Sequence, residues 1–402
     1  MGLRNPVVLA GVVGVGAPVL AAGVVAALTI DPGGNGLDTG AHTTARAQSS
    51  APTTPSATPA PSPGNLVVEV DPVGFQPDSI NFISEDEGWV LGRTYPCSGE
   101  PCRELRHTTD GGRTWQQEPL PAPLRTAAHN DGWIKFADSR NGWIRAGGLM
   151  FSTHDGGTTW HQVDLDINAV MDWWTISFSE DSAYVAATQP GEKVVLFSSP
   201  LGSDSWSETT DLPVAMGGGP DPSAEVSVVG NRAWLVVTNR TKTGARLVNG
   251  AWSPWQLPCG GNGPADWHAL TEKRVVALCG RPGPGTNDTT TTHLMTSLDG
   301  GVSFTETGQL SPTLSATANL FPADPTHLVA AVDEHLLTSA DGGETWTTAY
   351  TAPGKDWAAR SGDFVSATTG FVIIEQAGPK HSPSVMLTTK DAGRTWTPVS
   401  FG

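Results

Sequence analysis

One eight-residue phrase returns five times in this chain and limits its fold more than any other feature: Ser/Thr-x-Asp-Gly/Ala-Gly-x-Thr/Ser-aromatic. It stands at residues 108–115, 153–160, 297–304, 339–346 and 389–396, and closes on Trp115, Trp160, Phe304, Trp346 and Trp396. A worn copy occupies 199–206 and a barely legible one 248–255, so the closing aromatics recur at intervals of 42 to 50 residues. A period of that length, carried by short strands, builds a radial β array, and each unit is one propeller blade. Seven copies predict an all-β, seven-bladed β-propeller of four-stranded antiparallel blades over residues 66–402.

The phrase is a turn before it is anything else. The carboxylates of Asp110, Asp155, Asp299, Asp341 and Asp391 can accept N–H groups of the residues that follow, and the glycines supply positive φ. Each closing ring opens the next strand and wedges between hairpins, with an upper-bound gain of about 4–6 kcal/mol per ring. These residues resemble the Asp-box, or BNR, repeat of sialidases, sortilin-type receptors and the photosystem II assembly/stability factor family. The last of these implies a single extracytoplasmic seven-bladed propeller that holds client segments with an arginine-rich patch. A sialidase would instead imply six blades, three channel arginines, a Tyr nucleophile with a Glu partner, and an Asp acid/base. The chain has three tyrosines, Tyr95, Tyr184 and Tyr350, none expected in the channel, and it lacks the Arg-Ile-Pro signature.

A formal net charge of −17 argues against a nucleic-acid partner, which needs a basic face. The four cysteines fall into two close pairs, Cys97 with Cys102 and Cys259 with Cys279. As disulfides they would contribute about 2 and 3 kcal/mol, and they presuppose an oxidising compartment. Histidines are scattered singly, so no metal or cofactor is expected. At the start, residues 1–30 read as a signal anchor, because the uncharged apolar run 7–30 follows Arg4 and is long enough to span a bilayer. Ala45-Arg46-Ala47 leaves open cleavage of a signal and secretion. Residues 31–65 are rich in Pro, Thr, Ser and Ala and read as a disordered tether that holds a monomeric propeller off the cell membrane. An extra strand is expected at 66–70.

Within each repeat a first strand is expected at 78–83, 133–137, 174–178, 225–229 and 363–366, with no helix in the body. Just ahead of several first strands a small theme recurs: Asp131-Gly132-Trp133, Asp172-Trp173-Trp174, Asp266-Trp267-His268 and Asp356-Trp357, with Arg360 close by. Placed on inter-blade links, these would set carboxylates and indoles at the channel mouth, as platforms for a sugar or a peptide. The same residues also suit a structural role, Trp packed between blades and Asp capping the strand. Loops between second and third strands on that face would gather Arg93, Arg103, Arg106, Arg240, Lys242, Arg281 and Lys380 into a basic patch. The resulting expectation is a non-catalytic module for a protein or glycan. The alternative is a glycoside hydrolase using two of the link carboxylates.

Overall fold

The computed structural model describes residues 74–97, 100–125, 132–146, 148–165, 175–189, 193–209, 211–214, 223–238, 241–260, 263–282, 290–314, 318–378 and 383–402. The apolar run 7–30, the tether 31–65 and the strand expected at 66–70 lie outside them, as do Asp131, Asp172, Trp173, Trp174, Arg240 and Lys380. Among the described residues no helix is long and apolar enough to cross a membrane.

Among the described residues twenty-eight strands form seven antiparallel sheets, each made of four strands consecutive in the chain. The first strands of the blades are Gly74–Phe82, Trp133–Phe136, Thr175–Phe178, Ser223–Val229, Asp266–Ala269, Ala318–Pro322 and Trp357–Phe364, and neighbouring ones pack side by side around the axis. The all-β seven-bladed ring is therefore the observed architecture. Its one described helix is the four-residue Ala122–Arg125 in the link after blade 1, which buries Leu124. Up-and-down order puts the first-to-second and third-to-fourth turns on one face of the ring, here the turn face. Second-to-third turns and inter-blade links share the other, the link face.

The repeated phrase forms the same hydrogen-bonded knot in five blades. In blade 6, Ser339 Oγ donates to Asp341 Oδ1 at 2.7 Å and accepts the Gly343 N–H at 2.8 Å. Asp341 Oδ1 then accepts the Thr345 N–H at 2.9 Å, while the Thr345 hydroxyl donates to Oδ2. The N–H after each Asp reaches back to the first turn of its own blade, as Gly111 does to Asp86 O and Gly342 to Thr326 O, both at 2.8 Å.

A second pattern holds blade to blade. Phe82, Phe136 and Phe364 end first strands and lie over Gly88, Gly142 and Gly370, where a Cβ would fall 2.4–2.6 Å from the ring. The closing indole of the same blade meets that ring edge-on, Trp160 against Phe136 at 6.2 Å and Trp396 against Phe364 at 6.3 Å. The second-strand aromatic of the preceding blade stacks on its face: Trp89 on Phe136 and Phe371 on Phe82, both at 3.7 Å. Blade 7 thus meets blade 1 with the packing used inside the ring.

Four expectations need correction. The link theme is partly strand: Trp133, Asp266 and Trp357 each open a first strand, so their side chains follow the strand's alternation instead of a loop's freedom. The last first strand, expected at 363–366, runs Trp357–Phe364, and Ser366 Oγ instead accepts turn N–H groups of Thr368 and Thr369. The segment 92–106 is no loop but the body of a long hairpin, with Arg93 opposite Arg103 and Thr94 opposite Cys102. Blade 4 has no Asp-Gly-Gly knot. Its third and fourth strands join through Asn249 and Gly250, both at positive φ, the two-residue turn that matches strand twist. Trp255 closes its fourth strand, whereas the other closing aromatics precede theirs.

Candidate functional site

An inner strand exposes an unpaired edge to the channel, and its N–H groups need partners. Polar side chains of the neighbouring first strand supply them. Ser79 Oγ accepts the Ile134 N–H at 3.2 Å and Asn81 Oδ1 the Phe136 N–H at 2.6 Å. Thr175 and Ser177 do the same for Val226 and Val228, each at 3.0 Å. Asp266 Oδ2 accepts the Leu320 N–H at 2.6 Å and its Oδ1 the Trp267 N–H at 2.7 Å.

This channel wall gathers the titratable groups of the site: Lys135, Glu225, Asp266, His268 and Asp363. Burial pushes the Glu225 carboxyl up, and the nearby Asp266 charge adds to it. Burial also raises Asp363, against the pull of Lys135 and of Asn81, whose amide donates to it at 3.2 Å. For Asp266 burial acts in the same sense, but His268 and the two backbone N–H groups outweigh it and hold the group below its ordinary value. His268 moves up because Asp266, 3.5 Å away, overcomes the burial that opposes its charge. The His268 side chain keeps 38% of its surface, so the channel is wet and this pair is screened. His268 and Asp363 also line a cavity of about 300 Å³ with Phe321 and Asp324.

The described candidate indoles, Trp133, Trp267 and Trp357, are packed between blades. Trp267 is 6% exposed, lies 5.5 Å from Trp255 and donates its Nε1–H to Glu225 at 3.0 Å. Trp357 is 5% exposed in the seam between blades 6 and 7, and Trp133 packs between blades 2 and 3. Asp356 is exposed and accepts from Gln376 Nε2. Arg360 is also exposed and pairs with Glu375 at 3.5 Å.

Arg93, Arg103, Arg106 and Lys242, the four of the seven basic residues whose side chains are described, do not gather as an open loop patch. Arg93 and Arg103 are buried strand residues, and two Arg93 N–H groups donate to Asp78 Oδ1 at 2.6 and 2.9 Å. Arg106 donates to Phe401 O at 2.7 Å and lies 4.2 Å over Phe75, which pins the C-terminal segment. Lys242 donates to Pro264 O. Arg281 lies on a strand of blade 5, and its side chain is outside the description. Cys259 and Cys279 form a disulfide, Cys102 is disulfide-bonded as well, and no described cysteine is free. Among the described residues no cluster could hold a metal ion.

Lys135, Glu225 and Asp363 escaped the sequence reading. A signal was available for two of them: Asn81-Phe82, Lys135-Phe136, Ser177-Phe178 and Asp363-Phe364 share a polar-aromatic pair at the end of the first strand. The three tyrosines lie on second or fourth strands, not on the first strands that line the channel. Tyr95 accepts from Arg93 at 3.2 Å on the first hairpin, Tyr350 is 5% exposed in a fourth strand, and Tyr184 lies between blades 3 and 4 toward the turn face.

No protein-family model and no curated protein matches this sequence. Solved structures do. The chain is similar to YCF48 bound to D1 peptide at 20% identity and TM-score 0.54, covering 80% of this chain and 95% of that one. YCF48 from Cyanidioschyzon merolae matches at 16% identity and TM-score 0.54, covering 80% and 97%. A polysaccharide lyase PL25, an ulvan lyase bound to -[GlcA(1-4)Rha3S]-, matches at 10% identity and TM-score 0.54, covering 81% and 97%. At these identities the likenesses establish the fold alone.

Proposed function

We propose that the chain is a non-catalytic binding propeller that holds a protein segment or a glycan at its channel mouth and link face. The observation that carries this reading is the commitment of every described channel carboxylate. Asp266 is bonded to two backbone N–H groups, Glu225 to the Trp267 indole and Asp363 to the Asn81 amide. A general acid or base must instead reach a reacting proton. The turns written as Thr-x-Asp-Gly-Gly-x-Thr-Trp support membership of the Asp-box propellers, and the peptide-bound and glycan-bound neighbours support both ligand classes. We further read residues 7–30 as a membrane anchor that leaves the propeller outside the cytoplasm, where the Cys259–Cys279 disulfide would persist.

The full chain, screened on peptide and glycan arrays, should retain a ligand that Arg360→Glu or His268→Ala weakens at least tenfold. It should fractionate with membranes and be open to protease added outside the cell. Ligand affinity indifferent to both substitutions, or a propeller shielded inside the cytoplasm, would contradict the corresponding half of the reading. A second reading, a glycoside-cleaving enzyme, draws support from Glu225 and Asp266 standing on adjacent first strands, the one pushed up by burial and the other held down by His268, the split that a general acid and a separate base or nucleophile need.

A further inference from the structure

The third-to-fourth turn of a blade leans over the preceding blade, which donates hydrogen bonds to it. Trp234 Nε1 and an Arg246 N–H of blade 4 both donate to Gly300 O of the blade 5 turn at 3.1 Å. Trp255 Nε1 donates to Gly301 O at 2.8 Å. Thr338 Oγ1 of blade 6 reaches Ala392 O of blade 7 at 3.1 Å, and Arg274 of blade 5 reaches Gly342 O at 3.5 Å. Even the worn turn of blade 3 covers blade 2, where Ser152 Oγ donates to Asp204 at 2.7 Å. In the seams between blades 4 and 5, 5 and 6, and 6 and 7 a tight turn thus offers backbone carbonyls to donors on the blade before it.

Blade 4 cannot finish its seam. Its Asn249-Gly250 hairpin is too short to lean over blade 3, and a cavity of about 710 Å³ remains there. That volume lies within the ~300–1,000 Å³ typical of ligand sites. Glu180, Tyr184, Asn231, Arg232, Leu247 and Asn249 line it. The equivalent second-strand aromatics Trp89, Trp143, Trp234 and Phe371 are at most 1% exposed, whereas Tyr184 is only half-buried. Tyrosine is the substitution a part-wet site favours, because its hydroxyl can donate as the Trp234 indole N–H donates to Gly300 O in the seam between blades 4 and 5.

We propose that this opening docks a tight turn of a partner polypeptide, of the Ser/Thr-x-Asp-Gly-Gly kind, whose carbonyl takes the Tyr184 hydroxyl. The occupant is identified by what fills the neighbouring seams of the same ring. The site lies on the turn face, away from the link face, and stands or falls separately from the function proposed above.

The probe is a labelled peptide of the sequence of residues 339–346, cyclised through added terminal cysteines and titrated onto the full chain by fluorescence anisotropy. Saturable binding is expected, weakened about three- to tenfold in Tyr184→Phe, which loses one hydrogen bond, and more than tenfold in Tyr184→Ala. Replacing Asn249-Gly250 by the same eight-residue turn should abolish binding while the protein melts cooperatively. No saturation at millimolar peptide, undiminished binding to Tyr184→Phe and Tyr184→Ala, or an oligosaccharide that displaces the peptide would overturn the proposal.

Discussion

At the scale of single residues, the turn aspartates are structural and show it in their acidity. The Thr345 hydroxyl and N–H hold Asp341 down to about 2, and equivalent partners do the same for Asp110 and Asp155. A carboxyl lowered on folding contributes stability above its unfolded value of ~3.9, and that contribution disappears as pH falls through the folded value. The melting temperature should therefore hold steady from pH 7 to about 4.5 and then drop steeply toward pH 2. Asp341→Asn should melt lower at pH 7 and drop less steeply below pH 4. Calorimetry across that range decides it, and parallel curves for the two proteins would show that the knot does not carry the titration. These side chains face solvent, so the slope is the useful quantity and salt should soften it.

The elements explain which parts of the fold were legible. Five blades announce themselves because a knot of this kind needs Ser or Thr, Asp, two residues free to take positive φ, and Thr or Ser at fixed offsets. Blade 4 solves the same connection with Asn249-Gly250, which leaves no such trace, and the Trp at 255 kept the spacing without the register. The Asp-Trp theme read as link because Asp is depleted in strands and favours turns. Only the paired register shows that Asp266 and Trp267 already lie inside a strand, with the carboxylate turned to the next blade's backbone. The buried Arg93 and Arg103 were misplaced for a similar reason, since a disulfide-closed stretch looks like a loop until its hairpin pairing is known. The polar-aromatic pair marks Lys135 and Asp363 locally, but Glu225 meets Asp266 and His268 from another blade, and local pattern carries no record of that.

At the scale of the whole molecule, the ring closes by repetition. Phe371 stacks on Phe82 as Trp89 stacks on Phe136, and Ser384 of blade 7 donates twice across the closing seam, its N–H to Gln76 Oε1 and its hydroxyl to Pro77 O. Phe371→Ala and Trp89→Ala should accordingly cost similar amounts, about 3–5 kcal/mol each, with one cooperative transition in denaturant. A closing seam that melts first, in a separate step, would mean that another segment secures the ring. The proposed propeller holds a ligand without cutting it. Product analysis of the best glycan or peptide ligand after prolonged incubation with the full chain tests this most directly. The ligand should come back intact from the wild type and from Glu225→Gln alike; cleavage by the wild type that Glu225→Gln or Asp266→Asn abolishes would make the propeller an enzyme.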